Sequence, residues 1–114
     1  MLSPRGTLEA DLTVTKLPPR PGAYGGGGDD GEGFLVVATD TAHRHVETLL
    51  RRGIEDHAAA RGVAPAATVS DVTGGLAQIN LQGPRSRALL AALTSADVPD
   101  AAFPFRAARH VDIG

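Results

Sequence analysis

Apolar and polar residues alternate from the start of the chain. Over residues 7–17, Leu8, Ala10, Leu12 and Val14 alternate with Thr7, Glu9, Asp11, Thr13 and Thr15. Successive side chains on a strand point to opposite faces, so this stretch predicts a half-buried strand. One face is apolar, and the other carries two carboxylates and three hydroxyls. Residues 34–39, Phe-Leu-Val-Val-Ala-Thr, are apolar on both faces and predict a covered, central strand. Val46, Leu49, Leu50 and Ile54 then recur at helical spacing, with Arg44, Glu47, Arg51, Arg52 and Glu55 largely elsewhere. A helix over 41–61 follows, capped by Asp40 or Thr41 and stopped by Gly62.

Residues 67–73 and 76–82 predict two strands around a turn at Gly74-Gly75. Gly83-Pro84 opens a second helix, with Pro at the first helical position and Leu89, Leu90 and Leu93 as its apolar stripe. Residues 95–105, with Pro99 and Pro104, read as irregular, and 107–113 as the start of one more strand. Between the first two strands, residues 18–33 hold Pro18-Pro19, Pro21-Gly22, Gly25 to Gly28 and Asp29-Asp30-Gly31. Neither ladder nor helix propagates through such a sequence, so a long flexible surface loop is expected. The order of elements predicts an α+β domain: a largely antiparallel sheet with two helices on one face. A strand pattern that begins almost at residue 1, and a last strand with nothing beyond Gly114 to pair with, suggest part of a domain.

Composition narrows the picture. Of 114 residues, 42% are hydrophobic and 4% aromatic, so Leu, Val, Ile and Ala must build the core. Small side chains bury less apolar area, and modest stability is expected. The net charge of −2, without a basic block interleaved with aromatics, lacks the footprint of a nucleic-acid binder. There is no cysteine, which excludes disulfides and thiolate metal sites. No apolar run approaches the ~20 residues that span a bilayer, and no membrane partner is expected. The first residues lack the apolar run of a signal peptide.

Little in the spacing alone points to chemistry. Gly25 to Gly28 is followed by Asp29 and Asp30, which would repel a phosphate, and no Lys-Ser or Lys-Thr follows. His43 and His45 are two apart and fall on different faces of a helix, unlike a zincin pair, so no metal is expected. Gln82-Gly83-Pro84-Arg85 reads as a tight strand-to-helix turn, although a helix N-terminus can also bind an anion. Glu9 and Asp11 read as a solvated strand face; a carboxylate there exchanges protons with an amine only if its surroundings tune it.

Three segments together carry a resemblance. Met1-Leu2-Ser3-Pro4-Arg5-Gly6-Thr7-Leu8-Glu9-Ala10-Asp11-Leu12-Thr13-Val14 is similar to an "M-L-N-x-x-G-G-x-x-x-D-L-T-V" opening. Leu81-Gln82-Gly83-Pro84-Arg85-Ser86-Arg87 resembles "x-Q-G-P-x-[AS]-R". Ala96-Asp97-Val98-Pro99-Asp100-Ala101-Ala102-Phe103-Pro104-Phe105 resembles "A-D-L-S-N-E-A-F-P-F". In this order they resemble the aminomethyltransferase folate-binding domain, the T-protein family of the glycine cleavage system. The branch most resembled is the C-terminal region of sarcosine and dimethylglycine dehydrogenases.

The resemblance implies a domain that binds tetrahydrofolate and captures a one-carbon unit on it. It implies that Asp11, the Asp of the opening motif, is both the catalytic and the cofactor-binding carboxylate, set beside the folate nitrogen that attacks the carbon unit. It implies a parent that oxidises an N-methyl glycine with FAD, held by an FAD-binding domain outside this chain, since no Gly-x-Gly-x-x-Gly follows a strand here. A mitochondrial matrix location follows if the source is eukaryotic, a cytoplasmic one otherwise. The sequence departs from the pattern at Ser3, in place of Asn, and Thr7, in place of the second Gly, where the turn is expected to differ. The family's "Y-x-G-E-x-G-[WY]-E" folate motif is expected beyond residue 114, and the chain alone is expected to be inactive. The other reading is a regulatory or protein-interaction domain that keeps the fold without the chemistry.

Overall fold

The computed structural model describes residues 1–18 and 32–114. Residues 19–31, most of the expected flexible loop, lie outside the described residues. Two strands, β1 (Leu12–Lys16) and β2 (Phe34–Ala38), pair as an antiparallel ribbon. The Leu17 N–H prolongs the pairing by donating to the Gly33 carbonyl at 2.9 Å, and Lys16 and Glu32 form an ion pair beside it. Two helices follow, α1 (His43–Arg61) and α2 (Ser86–Leu93). The α+β class with antiparallel strands and two helices is therefore present. The chain divides into two compact units, residues 1–14 with 36–76 and residues 15–35 with 77–114.

In the first unit, residues 1–10 fold into a small hairpin in which Leu2 and Leu8 form an antiparallel bridge. The strand expected over 7–17 is thus divided: its first residues turn back on Met1 and Leu2, and only 12–16 pair with β2. The apolar alternation is buried only in part, with Ala10 5% exposed, Leu12 half-buried and Leu8 72% exposed. β2 is half-buried along most of its length, with Phe34 more exposed, rather than covered on both faces.

A 3-10 turn at Asp40–Ala42 leads into α1, and neither Asp40 nor Thr41 caps it with a side chain. The expected stop at Gly62 is present in left-handed backbone, φ 64°. Its N–H donates to Ala59, and that of Val63 to Ala58, both at 3.1 Å. These bonds satisfy carbonyls the helix end leaves free. Val46 and Ala58 are buried on α1, and Leu49, Leu50 and Ile54 are half-buried.

The second unit holds α2 and the segment that folds back along it. Gly83, at φ 106°, makes the turn before Pro84 that glycine alone adopts easily. The Thr94 hydroxyl donates to the Asp112 carbonyl at 2.6 Å, and the Gly114 N–H to the Leu93 carbonyl at 3.1 Å. Among the described residues of this unit, Val98 is the buried apolar side chain.

The strands expected at 67–73, 76–82 and 107–113 are not formed. Thr73–Gly75 is a 3-10 turn and not the loop of a hairpin. The alternation over 76–82 supplies side chains fit for a strand, but a strand exists only with a ladder partner and a face to bury. Here Ile79 is 89% exposed.

Candidate functional site

Asp11 lies at the junction of the N-terminal hairpin and β1, and local hydrogen bonding fixes that junction. Gly6 takes φ 79° at the hairpin turn, a conformation that costs a side-chain-bearing residue ~1 kcal/mol or more. The Gly6 N–H donates to the Ser3 carbonyl, and the Ser3 N–H to the Thr7 carbonyl, both at 2.9 Å. Ser3 Oγ accepts from the Arg5 and Thr7 N–H groups, each at 3.2 Å, and shares a 2.6 Å hydrogen bond with Thr7 Oγ1. The two positions that depart from the family pattern are thus bonded to each other. Thr7 is not in left-handed backbone; Gly6 alone carries the positive φ of this turn.

At the open end of the hairpin the Met1 ammonium donates to the Ala10 carbonyl at 2.8 Å, and the Glu9 N–H to the Met1 carbonyl at 3.1 Å. Asp11 follows, exposed. Among the described residues its carboxylate accepts no hydrogen bond and joins no ion pair, so both oxygens are open to a donor from outside.

Glu9 has a different role. Its Oε2 meets His45 Nε2 at 2.7 Å, joining the hairpin to the first turn of α1. Two residues earlier, His43 Nε2 meets Asp71 Oδ2 at 3.1 Å. The two histidines do lie on different faces of the helix, as their spacing implies, and each takes its own carboxylate. Asp71 also accepts from the Thr73 N–H at 2.9 Å. The Thr73 side chain and backbone N–H, with the His43 charge behind them, hold the Asp71 carboxyl below its ordinary range. Glu47, which shares a helix face with His43, pairs with Arg51 at 2.7 Å instead. Among the described residues no three His, Asp or Glu side chains converge as metal ligands would.

In the second unit, Gln82-Gly83-Pro84-Arg85 lines an open depression together with residues that include Ala88 and Leu89. The residue that organises this unit is Arg87. One guanidinium nitrogen donates to the Val98 carbonyl at 2.5 Å, and the other donates to the Phe103 carbonyl at 2.9 Å and meets Asp100 at 2.6 Å. The second and third resemblance segments are therefore one structure: the Arg that ends the first clasps the loop formed by the other. Sequence reasoning missed this, along with the two histidine pairs. Only the fixed place of Arg87 after Gly83-Pro84 signalled it.

The model of the GCVT N-terminal domain family matches residues 1–114. Human mitochondrial sarcosine dehydrogenase is 30% identical over 118 aligned positions, which cover 97% of this chain and 12% of that protein. The chain thus spans about one eighth of the length of that relative. No solved structure matches. With the family pattern running the length of the chain, this protein belongs to the GCVT N-terminal domain family.

Proposed function

We propose that this chain supplies a tetrahydrofolate-binding, one-carbon-accepting surface of a sarcosine or dimethylglycine dehydrogenase-like protein, with Asp11 as its working carboxylate. The observation that carries the reading is the state of Asp11. In a chain whose whole length matches the family, the acidic residue of the opening motif is exposed and unengaged among the described residues. An acceptor-only group left open suits an N–H donor such as a reduced pterin or its bridging amine. Bound tetrahydrofolate would supply the nucleophilic nitrogen on which a one-carbon unit is captured. Asp11 would accept a hydrogen bond from that nitrogen, stabilise positive charge beside it and take up its proton. Glu9, committed to His45, is not available for that work.

FAD does not fit the residues here, because no dinucleotide fingerprint follows a strand. The flavin, oxidation of the N-methyl glycine and contact with an FAD-binding domain are assigned to the parent protein. A mitochondrial matrix location belongs to the same reading, by analogy with the human relative. The chain alone is expected to bind and not to turn over. The alternative, an interaction domain of the same fold, draws on exposed apolar side chains such as Ile79 and Phe105, 89% and 88% exposed.

Calorimetric titration of the 114-residue chain with tetrahydrofolate separates the two. The folate reading expects saturable binding that Asp11→Ala weakens at least several-fold while the circular dichroism spectrum is kept. Absence of binding by a folded chain, or equal binding by the variant, would overturn the role of Asp11.

A further inference from the structure

One stretch of the second unit has the side chains of a strand and no ladder. Ala77, Ile79 and Leu81 alternate with Gln78, Asn80 and Gln82. In a strand this alternation sets the three apolar side chains on one face and the three amides on the other. Leu76, just before it, is in extended backbone at φ −128° and ψ 145°, and no residue of the stretch has a positive φ. All six residues are exposed, Ile79 almost fully. Among the described residues none of the six takes part in a hydrogen bond, from backbone or side chain. Their N–H and C=O groups are therefore open to another chain, as those of a sheet edge are. Charged residues and proline, the usual guards against such pairing, are absent from 77–82. The apolar face continues into the depression that Leu81 lines with Ala88 and the exposed Leu89.

We propose that residues 77–82 form an antiparallel ladder with the same residues of a second copy of this chain, across a two-fold axis at Ile79. The stretch is complementary to itself. Centring the pair on Ile79 sets that residue against its counterpart, Ala77 against Leu81 and Gln78 against Asn80. A small side chain then faces a large one on the apolar side, amide faces amide on the other, and no like charges meet. The flanking charges agree with this order. Asp71 is the last charged residue before the stretch in sequence, and Arg85 is the first after it. Antiparallel pairing directs the acidic flank of one copy toward the basic flank of the other, whereas parallel pairing directs like toward like. The net charge of −2 opposes the approach of two copies only weakly. Six residues a side is well below the roughly 20–30 of a standard interface, so a weak, reversible dimer is expected. The pairing rests on no part of the folate reading and does not involve Asp11.

The test uses the 114-residue chain, whose lack of cysteine makes any introduced thiol unique. In sedimentation equilibrium the wild type should rise reversibly from monomer mass toward dimer mass with concentration. Ile79→Lys, which sets two ammonium groups against each other on the axis, should weaken association at least several-fold with the circular dichroism spectrum kept. Ile79→Val should leave it intact. Directly opposed residues of an antiparallel pair have Cα atoms about 4.5–5.5 Å apart, within reach of a disulfide. Mild oxidation of I79C should therefore give a covalent dimer. Q82C should give several-fold less, because its counterpart lies about 20 Å away along the ladder. A mass that stays at the monomer or grows past the dimer overturns the proposal, as does association that Ile79→Lys leaves unchanged. Should Ile79→Lys not fold, the two cysteine variants decide: equal cross-linking at both positions, as parallel in-register stacking would give, or none at I79C, overturns it.

Discussion

Replacing Arg87 by Ala is the most telling perturbation of the second unit. The guanidinium donates to the carbonyls of Val98 and Phe103, both in part-buried geometry, and meets the carboxylate of Asp100. A hydrogen bond from a charged donor contributes about 1.5–3 kcal/mol when well enclosed. The Arg87 side chain is 43% exposed, so water partly replaces it in the variant, and about 1 kcal/mol per carbonyl is the fitting estimate. Asp100 is 86% exposed, and its pair adds at most about 0.5 kcal/mol. The sum is about 2–2.5 kcal/mol. With ~2.1 cal/mol/K of unfolding entropy per residue over 114 residues, this lowers Tm by about 8–10 °C. Urea unfolding followed by circular dichroism measures it. Arg87→Lys should recover less than half, because one ammonium does not reproduce a planar fork across two carbonyls. Asp100→Asn should cost little. If R87A lies within about 0.5 kcal/mol of wild type, or D100N costs as much as R87A, the clasp on the 98–103 loop is not what holds this unit together.

Further outcomes follow from the first unit. Asp71, held below its ordinary range by Thr73 and then by His43, stabilises the fold above its unfolded value of about 3.9, and that contribution is lost as pH falls through its folded value. An Asp71→Asn variant should therefore be less stable than wild type at pH 5–6 and converge with it in strong acid; a constant gap across an acid titration would contradict this. Ser3→Ala and Thr7→Gly should each destabilise the hairpin, and a double-mutant cycle should show coupling of about 0.5–1 kcal/mol for the shared hydroxyl bond. Additive losses would mean the two hydroxyls act separately.

Much of the fold was legible because it is local. The helix over 41–61 is present nearly as its apolar spacing implies, and Gly62 ends it in the backbone that glycine favours. The turn at Gly83-Pro84 and the irregular 95–105 segment were legible for the same reason. Strands were read less well. Residues 67–73, 76–82 and 107–113 carry the right side chains, but a ladder depends on a second segment that local pattern does not supply. Within the candidate site, Asp11 was singled out by motif position. The partners that occupy Glu9, His43 and Asp71 were not, because each lies across the fold from its mate, Glu9 and His45 being 36 residues apart.

The three family segments differ in what the fold asks of them. Arg87 and the Val98–Phe103 loop are bound to each other, so the spacing of the second and third segments has a structural cause. In the first, Ser3 and Thr7 build the turn, Gly6 permits it, Ala10 is buried and Glu9 is tied to His45. Asp11 alone among the acidic groups of that segment takes part in no described contact, and neighbours on both sides fix its backbone, the hairpin before it and β1 after it. A carboxylate presented in this way contributes little to holding the chain together. Its removal should therefore change ligand binding with little effect on Tm. That contrast sets Asp11 apart from Arg87, whose removal should lower Tm and alter binding only through the fold.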